Sequence, residues 1–121
     1  MKYFLSILLL LLVLALTFSQ PSAISDSDYL AVYQSAEKDY LDAEILPIRK
    51  NYTEEKEEAL NRSALKKFIQ VLPVIEAKHL DSLAFFAHYR MASLYHYFDS
   101  LDLAKTHYLL SIQAKNKVPS L

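Results

Sequence analysis

The sequence predicts an all-α protein of antiparallel helical hairpins, with about four helices, and three observations carry the prediction. Apolar residues recur at steps of three and four through most of the chain, the period of a helix that buries one face. No segment alternates apolar and polar residues for long enough to make a half-buried strand. The 121 residues include no glycine, where an average usage of about 7% would be expected. Tight β-hairpin turns depend on that residue, because it alone reaches positive φ freely.

The chain opens MKYFLSILLLLLVLALTFSQPSAISDSD. A positive Lys2, an apolar run from Phe4 to Phe18 and a small, polar sequel make the three-part layout of a secretory signal peptide. The run falls short of the ~20 residues that cross a bilayer as a helix. Residues 1–19 are therefore expected to be removed, with Thr17 and Ser19 as the small pair before the cut; a cut after Ala23 fits as well. Residues 20–121 then form one helical domain, periplasmic or secreted. If the segment stays in place, it tethers the domain to the outer face of the membrane instead.

Composition excludes several classes of function. There is no cysteine, which removes disulfide scaffolds, thiolate metal sites and lipid attachment through sulfur. The absence of glycine also removes phosphate-cradling loops and dinucleotide fingerprints. A formal net charge of −1 gives no electrostatic footprint for nucleic acid.

The first helix is expected over residues 26–51, capped by Asp26 or Ser27, with Tyr29, Tyr33, Ala36, Tyr40 and Ile45 on one side. Pro47 lacks an amide hydrogen and collides with the carbonyl four residues back, so this helix should kink or stop near Leu46. The second helix follows Thr53, whose side chain suits an N-cap, with Glu54 and Glu55 favoured by the dipole of the first turn. Leu60, Ala64, Leu65, Phe68, Ile69, Leu72 and Ile75 make its apolar stripe, and Pro73 should interrupt it near its end. The third helix spans residues 82–97, capped by Asp81 or Ser82, with Leu83, Ala87, Met91, Leu94, Tyr95 and Phe98 inward. The fourth spans residues 101–113, capped by Asp99, with Asp102 as the reciprocal partner of a capping box. So short a link forces the last two helices into an antiparallel pair.

That pair carries small and large residues at set intervals: Met91, Ala92 and Tyr95 on one helix, Ala104, Tyr108, Ser111 and Ile112 on the other. Small residues let helices cross closely while large ones fill the flanking grooves. The same positions resemble a tetratricopeptide repeat, a helix–turn–helix unit of 34 residues. Met91–Ala92 stands at the family's Leu–Gly/Ala pair and Tyr95 at its first-helix tyrosine. Ala104, Tyr108 and Ser111–Ile112 match its second-helix pattern, so residues 85–119 form the best repeat. His88 departs from the usual tryptophan, and Asn116 from the closing proline. Ala64, Phe68 and Val71–Leu72 repeat the second-helix spacing, but the helix before them does not keep the first-helix pattern. The chain is similar to the N-terminal parts of exported repeat proteins of Bacteroidetes.

The resemblance implies protein or peptide binding, with the first helix of each pair lining a concave groove. Carried over here, the partner-binding residues are Phe86, Tyr89, Ser93, His96 and Tyr97. Repeats of this kind bury their core against neighbours, so the fourth helix is expected to expose an apolar edge around Leu103, His107 and Leu110. Its occupant would be a protein partner or a second copy.

No catalytic constellation is legible, and neither a cofactor nor a metal is expected. His79, His88, His96 and His107 form no i, i+4 pair and no HExxH, and the acidic cluster at Glu54–Glu58 reads as a solvated first turn. The sequence thus points to a binding module without chemistry of its own. The competing reading is a small helical bundle that acts by associating with itself and has no peptide groove.

Overall fold

The computed structural model describes residues 24–119. The expected signal peptide lies outside the described residues. Four α-helices follow one another: α1 Tyr29–Ile45, α2 Glu54–Ala77, α3 Asp81–Tyr97 and α4 Leu101–Asn116, with a 3-10 turn at Leu46–Ile48. The described residues contain no strand. Helix α1 packs against α2 and α3 against α4, and the two hairpins join through α2 and α3. None of these helices is long and apolar enough to cross a membrane.

Helix α1 stops where Pro47 enters the first turn of the 3-10 segment, because proline cannot supply the next backbone bond. Its N-cap position is held by Asp28, not by Asp26 or Ser27, and makes no side-chain cap bond. Instead the Asp28 carboxylate accepts from Ser25 Oγ at 2.6 Å. Thr53 does cap α2, its Oγ1 accepting from Lys56 N at 3.2 Å. Pro73 does not end α2, which runs on to Ala77. The amide that proline lacks would have bonded near Ile69, and both residues face solvent, which leaves the orphaned carbonyl open to water.

The core lies between the hairpins. Phe68, Val71 and Ile75 of α2 and Ala87, Met91 and Leu94 of α3 are almost wholly buried, with Tyr33, Ala36 and Tyr40 of α1 beside them. The Tyr33 and Phe68 rings meet edge to face at 6.0 Å. Ile69, expected inward, is 47% exposed. It stands 100° around the helix from Phe68, beyond the reach of either neighbour. The buried line of α2 is Asn61, Ala64, Phe68, Val71 and Ile75.

Polar pins fix the stack. Asp39 of α1 accepts from Lys67 Nζ at 2.6 Å and Ser63 Oγ at 2.7 Å, both on α2. Burial alone would raise the Asp39 pKa, but these bonds outweigh it and hold the carboxyl below its ordinary range. Arg90 of α3 donates from Nε to Glu37 of α1 at 3.1 Å and lies over the Tyr40 ring at 4.5 Å.

The turns into α3 and α4 are built alike. His79 and Asp99 adopt φ of 55° and 57°. His79 N bonds Glu76 O and Leu80 N bonds Ile75 O; Asp99 N bonds His96 O and Ser100 N bonds Tyr95 O. Each is a Schellman motif, which closes a helix through one left-handed residue. Leu80 and Ser100 then occupy the N-cap positions of α3 and α4 without side-chain cap bonds. The caps expected at Asp81, Ser82 and Asp99, and the capping box at Asp102, are therefore not formed. Asp99 is spent on the end of α3 instead.

Candidate functional site

Helix α3 carries the five residues that the repeat resemblance points to, and they lie within about 100° of its circumference at the ~100° per residue of an α-helix. Phe86, Tyr89 and Tyr97 are 39%, 44% and 41% exposed. His96 is also exposed and Ser93 is half-buried. The structure divides them between two neighbourhoods. Tyr89 meets Tyr108 of α4 edge to face at 5.8 Å, and Phe86 lies against Phe85 at 4.9 Å. Ser93 and Tyr97 turn the other way, toward α1 and the start of α2.

There they help to line a cavity of about 250 Å³ with Tyr40, Ala43, Glu44, Glu57, Asn61 and Leu94. Three helices build it, so only Ser93 and Tyr97 belong to the set expected from sequence. Burial first, and the neighbouring Glu44 second, raise Tyr40 above its usual pKa, with Ser93 acting the other way. At the mouth Tyr52 donates to Glu57 Oε2 at 2.8 Å, and that bond is the main reason its hydroxyl is pushed up to about 12. Two acidic residues therefore line one small space, and no lysine, arginine or histidine lines it.

Sequence reasoning assigned none of Tyr40, Glu44, Glu57 and Asn61 to a site: it read Tyr40 as packing and Glu57 as part of a solvated first turn. One signal for them was present. Asn61 stands seven residues before Phe68 on the buried line of α2 and is only 6% exposed, and a polar side chain in such a place needs a reason.

The residues expected to pack the hairpin are also divided. Met91, Ala92, Ala104 and Ser111 are buried, and Tyr95 is half-buried. Tyr108 and Ile112, however, are 37% and 53% exposed, because no helix among the described residues covers that side of α4. The exposed apolar line is Leu101, Tyr108, Leu109 and Ile112. It replaces the expected edge at Leu103, His107 and Leu110, of which only Leu103 is exposed.

His107 faces inward instead. Its Nδ1 lies 2.9 Å from Nδ1 of His88, whose Nε2 lies 2.9 Å from Glu76 Oε1. Its ring also stacks on Tyr95 at 5.3 Å. Burial first, and the His88 ring second, lower the pKa of His107. Beside this row of bonds a second cavity, about 290 Å³, opens between the end of α2, the first half of α3 and α4. Among the described residues no group of three or more ligating side chains is placed to hold a metal ion.

No protein-family model, curated protein or solved structure matches this chain.

Proposed function

We propose that this protein is an exported binding module of the tetratricopeptide kind, which takes a peptide or an extended segment of another protein along the outer face of α3. The observation that carries this reading is the row of half-exposed aromatic residues Phe86, Tyr89 and Tyr97 beside a polar cavity. Tyrosine combines a large rigid contact surface with a hydrogen-bonding tip, at the entropy of two side-chain torsions. The repeat reading is supported by two like turns into α3 and α4. An aromatic pair also recurs in each hairpin, Tyr33 on Phe68 and Tyr89 on Tyr108. Export rests on the layout of residues 1–19.

Random-heptamer display on the full chain tests the reading. Peptides should be enriched, and Tyr89→Ala combined with Tyr97→Ala should weaken their binding by about tenfold or more, as expected when aromatic anchors are truncated, with helicity unchanged by circular dichroism. Enriched peptides that bind the double variant as well as the parent would remove this face as the site.

The exposed line Leu101, Tyr108, Leu109 and Ile112 on α4 favours a second reading, self-association through that helix. Tyr108, Leu109 and Ile112 lie one turn apart on this helix, and a cluster of exposed apolar residues marks an interaction surface.

A further inference from the structure

We propose that the cavity between α1, α2 and α3 receives the cationic head of a lysine or arginine side chain from the bound peptide. This rests on the peptide-binding reading and adds the chemistry that the groove selects.

The lining argues for a cation. Glu44 and Glu57 bring two carboxylates, and Tyr40, Ser93, Tyr97 and Asn61 bring oxygen atoms able to accept hydrogen bonds. The guanidinium groups nearby are already engaged. Arg90 is paired with Glu37 and covers the Tyr40 ring, while Arg62 is paired with Glu58 and lies 4.9 Å from the Phe98 ring. Among the described residues neither Glu44 nor Glu57 takes part in a salt bridge, and Glu57 accepts from the neutral Tyr52 hydroxyl.

Asn61 is the independent observation. The residue is only 6% exposed, yet its side chain enters no hydrogen bond among the described residues. Since none of their fully buried polar atoms lacks a partner, the unbonded Asn61 amide keeps some solvent-accessible surface, and the residue lines the cavity. An ammonium or guanidinium seated between Glu44 and Glu57 would give its oxygen a donor.

Size and shape fit the same guest. About 250 Å³ is below the ~300 Å³ at which small-molecule pockets begin, but it suits one long side chain. Ala43 and Leu94 supply an apolar wall for the methylene stem, in the way such stems lie along apolar surface while the head stays polar. The Tyr97 ring, packed at 89° on Phe98 with 41% of the residue exposed, stands at the rim where a cation can approach its face.

The test uses the full chain, the random-heptamer display above and the isosteric pair Glu44→Gln with Glu57→Gln. Enriched peptides should share a lysine or arginine at one position. Replacing it with glutamine should weaken binding by about tenfold, the effect of removing one member of a charge pair in a partly desolvated site. The double glutamine variant should lose the same factor toward the basic peptide and nothing further toward the neutral one, and raising the salt concentration should erode the difference. Enriched peptides without a common basic position, or binding indifferent to the glutamine pair, would overturn the cation pocket while leaving the groove standing. If no peptide is enriched at all, both readings fall. Glu44 is exposed and Glu57 half-buried, so the folded state is expected to survive, and circular dichroism verifies that it has.

Discussion

His88 shows what a single side chain decides in this fold. It is 4% exposed and uses both ring nitrogens, one toward Glu76 of α2 and one toward His107 of α4. If His88 donates from Nε2 to the carboxylate, its Nδ1 must accept, and His107 donates across the 2.9 Å gap. The pKa of His107 lies below its ordinary 6.5 in the folded protein. As pH falls through about 6.5, the unfolded chain takes up a proton that the folded chain resists, so stability declines until the folded pKa is passed. Thermal melting followed from pH 7 to pH 5 should therefore show a falling midpoint, with a shallower slope in His107→Gln. An equal slope in the two proteins would separate this pair from the acid response.

At the scale of elements, the turns show how a chain without glycine ends its helices. A left-handed residue at the close of a helix is usually glycine, because a Cβ there costs about 1–2 kcal/mol. Here His79 and Asp99 take the position. His79→Gly and Asp99→Gly should each stabilise the protein by about 1 kcal/mol, raising the melting temperature by roughly 4–8 °C for a domain of this size. A lower melting temperature in both would mean that the side chains contribute more than their backbone strain removes. Sequence reading placed Asp99 at the start of α4 because aspartate suits an N-cap. With no glycine to mark the end of α3, nothing local separated the two roles. Thr53 was legible because its hydroxyl answers an amide three residues on, a signal that lies wholly within the neighbouring turn.

For the whole molecule, residues at equal places in the two hairpins differ through what covers them. Phe68 and Tyr108 hold matching positions on α2 and α4 in the small–aromatic–small pattern. Phe68 is wholly buried, whereas Tyr108 is 37% exposed, because α3 packs on α2 and no described helix follows α4. Phe68→Ala should destabilise the protein by about 3–5 kcal/mol, the range for an emptied aromatic core site, against about 1 kcal/mol or less for Tyr108→Ala, both read from urea unfolding. The same Tyr108→Ala chain, examined by sedimentation over a range of concentrations, tests the second reading. If self-association runs through α4, the parent gains mass with concentration and the variant gains less.

The order of helices, the stop at Pro47, the Thr53 cap and the small residues at the α3–α4 contact follow from the sequence, since each depends on neighbours within a few positions along the chain. The tertiary structure decided the rest. Asp39 and Lys67 lie 28 residues apart, Glu37 and Arg90 lie 53 apart, and His88 and His107 lie 19 apart. No local period encodes such meetings. The first and third arise as each hairpin folds back on itself and the second as the two hairpins stack, and the same packing gathers Glu44 and Glu57 with Asn61, Ser93 and Tyr97 around one cavity. Which groups lose their water is a property of the stacked molecule, and it sets both the charge of the site and the exposure of α4.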